Sequence, residues 1–576
     1  LTARISDPTA KASLLRILAV ERAFHLERPV SVRFVAMTRW GRSGAAVAGA
    51  SVVAVVAALA LIAPDRLRAP ALSGAIGGPY ARLLAQSSDL GPARSAQVRL
   101  TAALHGRVEP VRLRAWARDQ GLSVQWRGGD DWAVIHGSPE TVGEAFGVTV
   151  RDYRIRGGSE EGRVFYASPQ QPDIPAAARA EVFGLGRILS YTPVREAIPD
   201  WPRDVPDGGL APTQLLNAYN AKPLVDDGFT GAGQTVVVLA FDGFLQEDMD
   251  TFAESFALPP LTPEVVGGMP ERRVGEANMD LQVIHALAPD ARLVLVNARS
   301  TTNNEGGGAF EKLGRLMEST DEQFPGAIWS FSIGWGCDRL FTAADFAPVR
   351  SALATALRNG TTAFNASGDL AGLECKGGQN WSERPTPDDV GVDAVASLPE
   401  MVSVGGTKLS TDAEGRWLSE QAWYNVPLTL GTAGGASTLF ARPEWQTVGI
   451  GSELPNRRLV PDVAAVSDPF TGVWIVFNQQ VSVGGGTSQA APIWAGLTAL
   501  MNQKLTAGGA EPVGELNPLL YRMVKNPTLR PGLRDINFGG NAISISGTTG
   551  YDMVTGLGTP NIENLVTNIL LARAGR

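Results

Sequence analysis

The strongest constraint on the fold is a series of short, uniformly apolar segments in the C-terminal two thirds of the chain. Residues 234–241 read Gln-Thr-Val-Val-Val-Leu-Ala-Phe, and 293–296, 327–333, 361–364 and 401–404 are of the same kind. They are too short to be helices, and most lack the apolar–polar alternation of a strand with one wet face. Helical stretches separate several of them. Strands buried on both faces and joined by helices predict a parallel sheet in a doubly wound α/β fold. Such sheets carry their chemistry at the carboxyl ends of the strands.

The chain outside this region reads differently. Residues 75–195 alternate strand at 97–104, helix at 109–120, strands at 122–126 and 132–135, helix at 139–146 and strand at 148–153. That order predicts a small ferredoxin-like α+β domain. A Pro/Asp-rich stretch without apolar periodicity, 196–211, follows as a linker open to proteolysis. The region of apolar strands and helices then occupies 212–576. Ahead of these, residues 1–74 form an N-terminal extension in which 45–63 carry no charge, with Arg39 and Arg42 before and Asp65, Arg66 and Arg68 after. Nineteen apolar residues suffice for a membrane anchor or the core of a secretory signal. Met37 followed by Thr-Arg-Trp-Gly-Arg resembles a start with a basic leader, which makes 1–36 an upstream extension. Either reading puts the bulk of the protein outside the cytoplasm, extracellular by expectation, with membrane contact only if 45–63 is retained.

Charge and histidine content narrow the function. The formal net charge is −8, which disfavours a nucleic-acid binder working through a broadly basic surface. Residues 1–200 hold 25 Lys+Arg against 18 Asp+Glu, and the remaining 376 hold 25 against 40. The basic excess lies mostly in the extension, so 75–195 is nearly neutral and these counts predict no electrostatic clamp to the acidic part. Only four histidines occur, His25, His105, His136 and His285, which limits histidine-based hydrolysis.

Three groups of residues have the pattern of a reactive site. Gly484-Gly-Gly-Thr-Ser488-Gln-Ala-Ala-Pro492 opens an apolar helix. It sets Ser488 at a helix N-terminus, where free N–H groups favour a developing negative charge. Pro492 is expected in the first turn, where proline is tolerated. Glu276 and Asp280 stand at i and i+4, on one helix face, either as a solvated acidic face or as a carboxylate pair. His285, nine residues beyond Glu276, falls on the opposite side. Ser367-Gly368-Asp369 follows the 361–364 strand, where Asp369 caps a turn or, protonated, donates to an oxyanion.

Together these motifs resemble the sedolisins, the serine-carboxyl peptidase family with a subtilisin-like fold. Glu276-x-x-x-Asp280, Ser367-Gly-Asp369 and Gly486-Thr-Ser488-x-x-x-Pro492 occur in the family's order. Ser332-Ile-Gly-Trp, Val404-Gly-Gly-Thr and Pro461-Asp-Val-Ala match connecting phrases. The resemblance implies a subtilisin-like doubly wound parallel-sheet catalytic domain preceded by a ferredoxin-like propeptide domain at 75–195, which acts as an intramolecular inhibitor. It implies Ser488 as nucleophile, Glu276 as general base, Asp280 as the residue orienting Glu276, and Asp369 as oxyanion donor. The substrates are then peptides or proteins, cut by an endopeptidase or a tripeptidyl-peptidase. Glutamate, at ~4.3, remains a usable base in acid where histidine, at ~6.5, is charged, so an acidic optimum is expected.

The resemblance also implies one structural Ca²⁺, held by Asp535 and Asp552 and by carbonyls of Ile536, Thr548 and Gly550. Oxygen-only ligation suits that ion. Cys337 and Cys375 follow neighbouring motifs; if the strands before them are adjacent, an exported protein would bond them. Two competing readings are a subtilisin-type protease using Asp242, His285 and Ser488, and a silent peptide-binding homologue.

Overall fold

Hydrogen bonding joins the apolar segments into one eight-stranded sheet in the computed structural model. Its order is Glu264–Val266, Arg292–Asn297, Thr235–Ala240, Ile328–Phe331, Thr362–Ala366, Val402–Thr411, Trp417–Ala422, with Val463–Val466 also paired to Val402–Thr411. The described residues are 74–573, apart from 158–159, 194, 197–207, 303–306, 378–383, 426–429, 448–449, 451–452, 525–528, 530 and 544, and for 195–196 the backbone alone. The expected export segment at 45–63 and most of the 196–211 linker lie outside them. No helix among the described residues is long and apolar enough to cross a membrane.

The pairing is parallel throughout, except that Trp417–Ala422 runs antiparallel to Val402–Thr411. The reason lies in the connection. A tight turn, with the Asp412 N–H bonded to the Arg416 carbonyl at 3.0 Å, reverses the chain, whereas a parallel neighbour needs a long crossover.

Alternate residues of the central strand serve two cores. Val236, Val238 and Ala240 join Ile284, Leu287 and Trp494 on one face. Val237, Leu239 and Phe241 join Trp329, Leu353 and Phe346 on the other. Each such side chain contributes roughly 1.5–3 kcal/mol by burial. The first face is covered by helices Glu276–Leu287 and Thr487–Ala507, the second by Ala309–Gln323 and Ala347–Arg358. The expected sheet thus becomes a layer with helices on both sides, as a doubly wound fold requires.

The N-terminal part has the expected strand–helix order with one change. Its four-stranded antiparallel sheet runs Ser123–Gln125, Trp132–Gly137, Val98–Leu104, Val182–Leu185. The segment expected to close it, 148–153, does not. Arg151–Ile155 instead lies in a separate three-stranded sheet between Ser87–Pro92 and Val164–Ala167. Its two buried side chains, Tyr153 and Ile155, pack with Phe165 and Tyr191 in a small core of their own. Val182–Leu185 takes the vacant edge, which preserves a ferredoxin-like order.

This part is fastened to the sheet region by charge and by apolar insertion, against the expectation from charge counts. Arg99 pairs with Glu311 at 3.0 Å, Arg127 with Glu318 at 2.8 Å, Arg315 with Asp130 at 2.7 Å, and Arg82 with Asp389 at 2.5 Å. Counting charges over a domain averages out such local complementarity. Tyr80 of helix Gly78–Gln86 is fully buried and belongs to the same apolar cluster as Phe341, Phe346 and Trp335. Further along, the backbone at Arg195–Glu196 pairs antiparallel with Ile333–Gly334, just beyond strand Ile328–Phe331.

Candidate active site

The carboxyl ends of three adjacent strands gather the polar residues. Thr235–Ala240 leads to Asp242, Ile328–Phe331 to Ser332, and Thr362–Ala366 to Asp369. Asp242 caps the helix Glu276–Leu287. Its carboxylate accepts the N–H groups of Val274 at 3.1 Å, Gly275 at 3.1 Å and Ala277 at 3.0 Å. These are donors that a helix N-terminus leaves unpaired. Gly275 is left-handed, with φ +97°, and a Cβ there would lie 3.3 Å from the Phe477 ring. Glycine is what allows the turn into the helix so close to that ring.

All twelve residues of Glu276–Leu287 are buried, so the two carboxylates are not on a solvated face. Glu276 is 5% exposed and Asp280 1%. No Lys, Arg or His pairs with either among the described residues. Both Glu276 oxygens are buried from solvent. Burial first, then the neighbouring Asp280 and Asp242 charges, push the Glu276 carboxyl well above the usual range, with Ser488 opposing. Burial likewise raises Asp280 well above it. Asp280 Oδ1 lies 2.8 Å from the Ser332 hydroxyl. Two buried carboxyls one turn apart titrate as a pair.

Ser488 is the second residue of helix Thr487–Ala507, as the sequence predicts, and is 2% exposed. Pro492 is not in the first turn; it stands inside the helix, in its second turn. Asp369 Oδ1 accepts from the Thr487 N–H at 2.7 Å and the Thr487 hydroxyl at 2.8 Å. Gly486 has φ +81°, and a Cβ on it would sit 2.6 Å from Asp369 Oδ2. A side chain is therefore excluded at Gly486 by the contact that brings the Asp369 carboxyl beside the serine turn. Ser488, Glu276, Asp280 and Asp369 are thus all inside one buried neighbourhood.

His285 is elsewhere. Its Nε2 donates to the Pro259 carbonyl at 2.8 Å, and burial holds its pKa below the ordinary value. With Asp242 engaged as a helix cap, the Asp242–His285–Ser488 arrangement has no geometric basis.

The scaffold around the site contains residues to which sequence reasoning gave no role. The Gln282 amide takes the Val476 N–H at 2.7 Å and donates to the Val476 carbonyl at 2.9 Å. Asp248 accepts from Asn278 Nδ2 at 2.9 Å and from the Asn478 and Gln479 N–H groups at 3.1 and 2.8 Å. These bonds tie the hairpin Trp474–Phe477/Gln480–Val483 to the carboxylate helix, and that hairpin leads into Gly484 and Ser488. The hairpin turns at Asn478 and Gln479, two consecutive residues with positive φ, which sequence reasoning did not single out. Cys337 and Cys375 are bonded, and Glu374 Oε1 accepts the Leu370 N–H at 2.9 Å, next to Asp369.

The expected calcium residues meet at one turn. Asp535 Oδ2 accepts the Gly550 N–H at 2.8 Å and Asp552 Oδ2 the Thr548 N–H at 3.0 Å. The Ile536 carbonyl accepts from Thr555 at 3.3 Å. Burial pushes the Asp552 carboxyl up, which a bound cation would reverse. An all-oxygen set of two carboxylates and nearby carbonyls fits a hard cation.

Comparison with known proteins places these residues in context. No family model matches the chain. Kumamolisin of Bacillus sp. (strain MN-32) is 29% identical over 485 residues, covering 78% of this chain and 81% of that protein. Tripeptidyl-peptidase 1 of Macaca fascicularis is 28% identical over 455 residues, covering 72% of this chain and 74% of that protein. The solved structure of Pseudomonas sedolisin, a serine-carboxyl proteinase complexed with two molecules of pseudo-iodotyrostatin, aligns with a TM-score of 0.54 at 26% identity. It covers 64% of this chain and 99% of that one.

Proposed function

We propose that the chain, which is similar to kumamolisin, tripeptidyl-peptidase 1 and sedolisin, is a serine-carboxyl peptidase of the sedolisin family, exported, acid-active and made as a zymogen. Ser488 attacks the scissile carbonyl while Glu276 takes its proton. Asp369, protonated, donates to the oxyanion, beside the N–H groups at the start of helix Thr487–Ala507. Glu276 then returns the proton to the leaving amine, and a water repeats the sequence on the acyl-enzyme. The observation that carries this reading is the buried carboxylate pair beside Ser488, with no Lys, Arg or His paired to it among the described residues. A shared proton keeps one carboxylate available as base in acid.

The test is a pH–activity profile on a denatured protein for wild type, Ser488→Ala and Glu276→Ala. Both variants are expected to lose activity, with wild type most active in acid. A neutral or alkaline optimum that survives Glu276→Ala overturns the mechanism. Product analysis separates endopeptidase cleavage from release of tripeptides.

Residues 75–195 are the propeptide in this reading. Support comes from the ion pairs and the Tyr80 insertion that fasten this part to the sheet region, and from the backbone pairing of Arg195–Glu196 beside Ser332. Cleavage is expected between Arg195 and Ala211. One Ca²⁺ is held by Asp535 and Asp552 with carbonyls of Ile536, Thr548 and Gly550, where it braces the C-terminal loop.

A further inference from the structure

The Ser332 hydroxyl touches two oxygens at once. Its Oγ is 2.8 Å from Asp280 Oδ1 and 2.9 Å from the Ser488 carbonyl, and all three residues are buried. A hydroxyl has one hydrogen, and a carbonyl only accepts. With Asp280 ionised, two acceptors compete for that hydrogen and one is left unsatisfied in a buried site. With the proton on Asp280 Oδ1, Asp280 donates to Ser332, Ser332 donates to Ser488, and both contacts are full hydrogen bonds.

The Ser488 carbonyl is available because of Pro492. In a regular helix that carbonyl accepts from the amide four residues on, and proline has none. Pro492 stands at that place in helix Thr487–Ala507. The Ser-x-x-x-Pro spacing therefore removes a helical hydrogen bond and leaves the oxygen to Ser332.

We propose that Ser332 is a positioning residue that holds the proton of the Glu276–Asp280 pair on Asp280, so that Glu276 stays the free base, and that ties Asp280 to the backbone of Ser488. The inference rests on the proposed roles of Ser488 and Glu276. The groups facing the pair are Asp242 from the end of strand Thr235–Ala240, Asp369 from the end of Thr362–Ala366, and Ser488; His285, on the same helix, is bonded to Pro259. In the acylation step the Ser488 O–H bond breaks, its proton goes to Glu276, and the oxygen bonds the carbonyl carbon. The C–N bond then breaks as Glu276 passes that proton to the amine. The Asp280 proton stays in place throughout.

The experiment compares kcat against pH on a denatured protein for wild type, Ser332→Ala, Ser332→Thr and Pro492→Ala, with Ser488→Ala and Glu276→Ala as controls and thermal unfolding as the check on folding. In Ser332→Ala, protonated Asp280 loses its acceptor and ionises at lower pH, and its charge then opposes ionisation of Glu276. The expected result is a fall in kcat of about 10- to 100-fold with little change in KM, and an acidic limb moved to higher pH. Pro492→Ala gives the Ser488 carbonyl an amide, releases the Ser332 hydrogen to Asp280, and shifts the limb in the same direction by less. Ser332→Thr restores the wild-type limb. An unshifted limb, a shift to lower pH, or a threonine variant that behaves as alanine does overturns the proposal. If Ser332→Ala does not fold, Pro492→Ala decides. Activity in either control would instead overturn the reading of Ser488 and Glu276.

Discussion

At the residue scale, the candidate site places carboxyl groups where charge is disfavoured. Glu276 and Asp280 stand on one turn of a wholly buried helix, and burial raises both. Asp369 has one oxygen fixed by Thr487, through the backbone N–H at 2.7 Å and the hydroxyl at 2.8 Å. If its role is to donate the other as an acid, an amide should do the same without needing a proton. Asp369→Asn retains an acceptor for Thr487 and a donor toward the oxyanion. Its pH–activity profile is expected to keep measurable activity, with an alkaline limb extended to higher pH, whereas Asp369→Ala should lose about 10²- to 10³-fold in kcat. An asparagine variant with an unmoved alkaline limb would argue that Asp369 does not donate. Glu276, Asp280, Asp369 and Ser488 were legible as candidates because glycine and spacing surround them. No role was legible for Ser332, since a serine just past the end of a buried strand has no pattern of its own.

At the element scale, the site depends on a hairpin that has little sequence signature. Asp248 is buried, and its carboxylate accepts three hydrogen bonds from Asn478, Gln479 N–H and Gln479 Nε2 besides that from Asn278. It thereby holds two non-glycine residues at positive φ, 50° and 61°, a conformation that side chains rarely adopt. Asp248→Ala is expected to lower stability by about 3 kcal/mol, from the loss of charge-assisted bonds at an otherwise strained turn. Urea unfolding of the Ser488→Ala chain, which cannot process itself in this reading, would measure it; a change below 1 kcal/mol would show the turn to be self-supporting. The C-terminal loop makes a second prediction of this kind. Chelation by EDTA should lower its melting temperature, and excess Ca²⁺ should restore it. The N-terminal sheet illustrates why order was easier to read than pairing. Helix 139–146 was bounded correctly, because Ser138 caps it and Gly147 ends it in a left-handed turn. Strand Arg151–Ile155 pairs instead with Ser87–Pro92 and Val164–Ala167, and no local pattern names those partners.

For the whole molecule, the direction of charge effects with pH follows from the buried carboxyls. Burial raises Glu276, Asp280, Asp338, Asp345 and Glu420, and pushes Asp393 up to about 7. A carboxyl whose folded pKa lies above its unfolded value costs stability while it is charged. That cost is present at pH 8, falls as pH drops through the folded pKa, and is gone near the unfolded value of ~3.9–4.3. His285 and His136 act the other way, since burial lowers both and the unfolded chain binds their protons first near ~6.5. The carboxyls outnumber them. Stability of the Ser488→Ala chain is therefore expected to rise from pH 8 to pH 5 by on the order of a few kcal/mol. A flat or falling melting temperature over that range would contradict it. Despite its burial, hydrogen bonds from Thr386 and Arg82 hold Asp389 low, so the Arg82–Asp389 contact persists to more acid pH than an unpaired aspartate would allow.

The sequence by itself determined the strands, because residues buried on both faces must be apolar regardless of which strand lies beside them. It also determined the serine turn, because only glycine tolerates the backbone at Gly486. Tertiary structure decided what those elements enclose. Burial of Glu276 and Asp280 requires helix, hairpin and serine turn to close over them, and none of these contacts leaves a local mark in the chain. The same is true of the Arg99–Glu311 and Arg127–Glu318 pairs, where partners about 200 residues apart meet. Charge counted along a sequence carries no information about which residues face each other, and only the folded surfaces supply it.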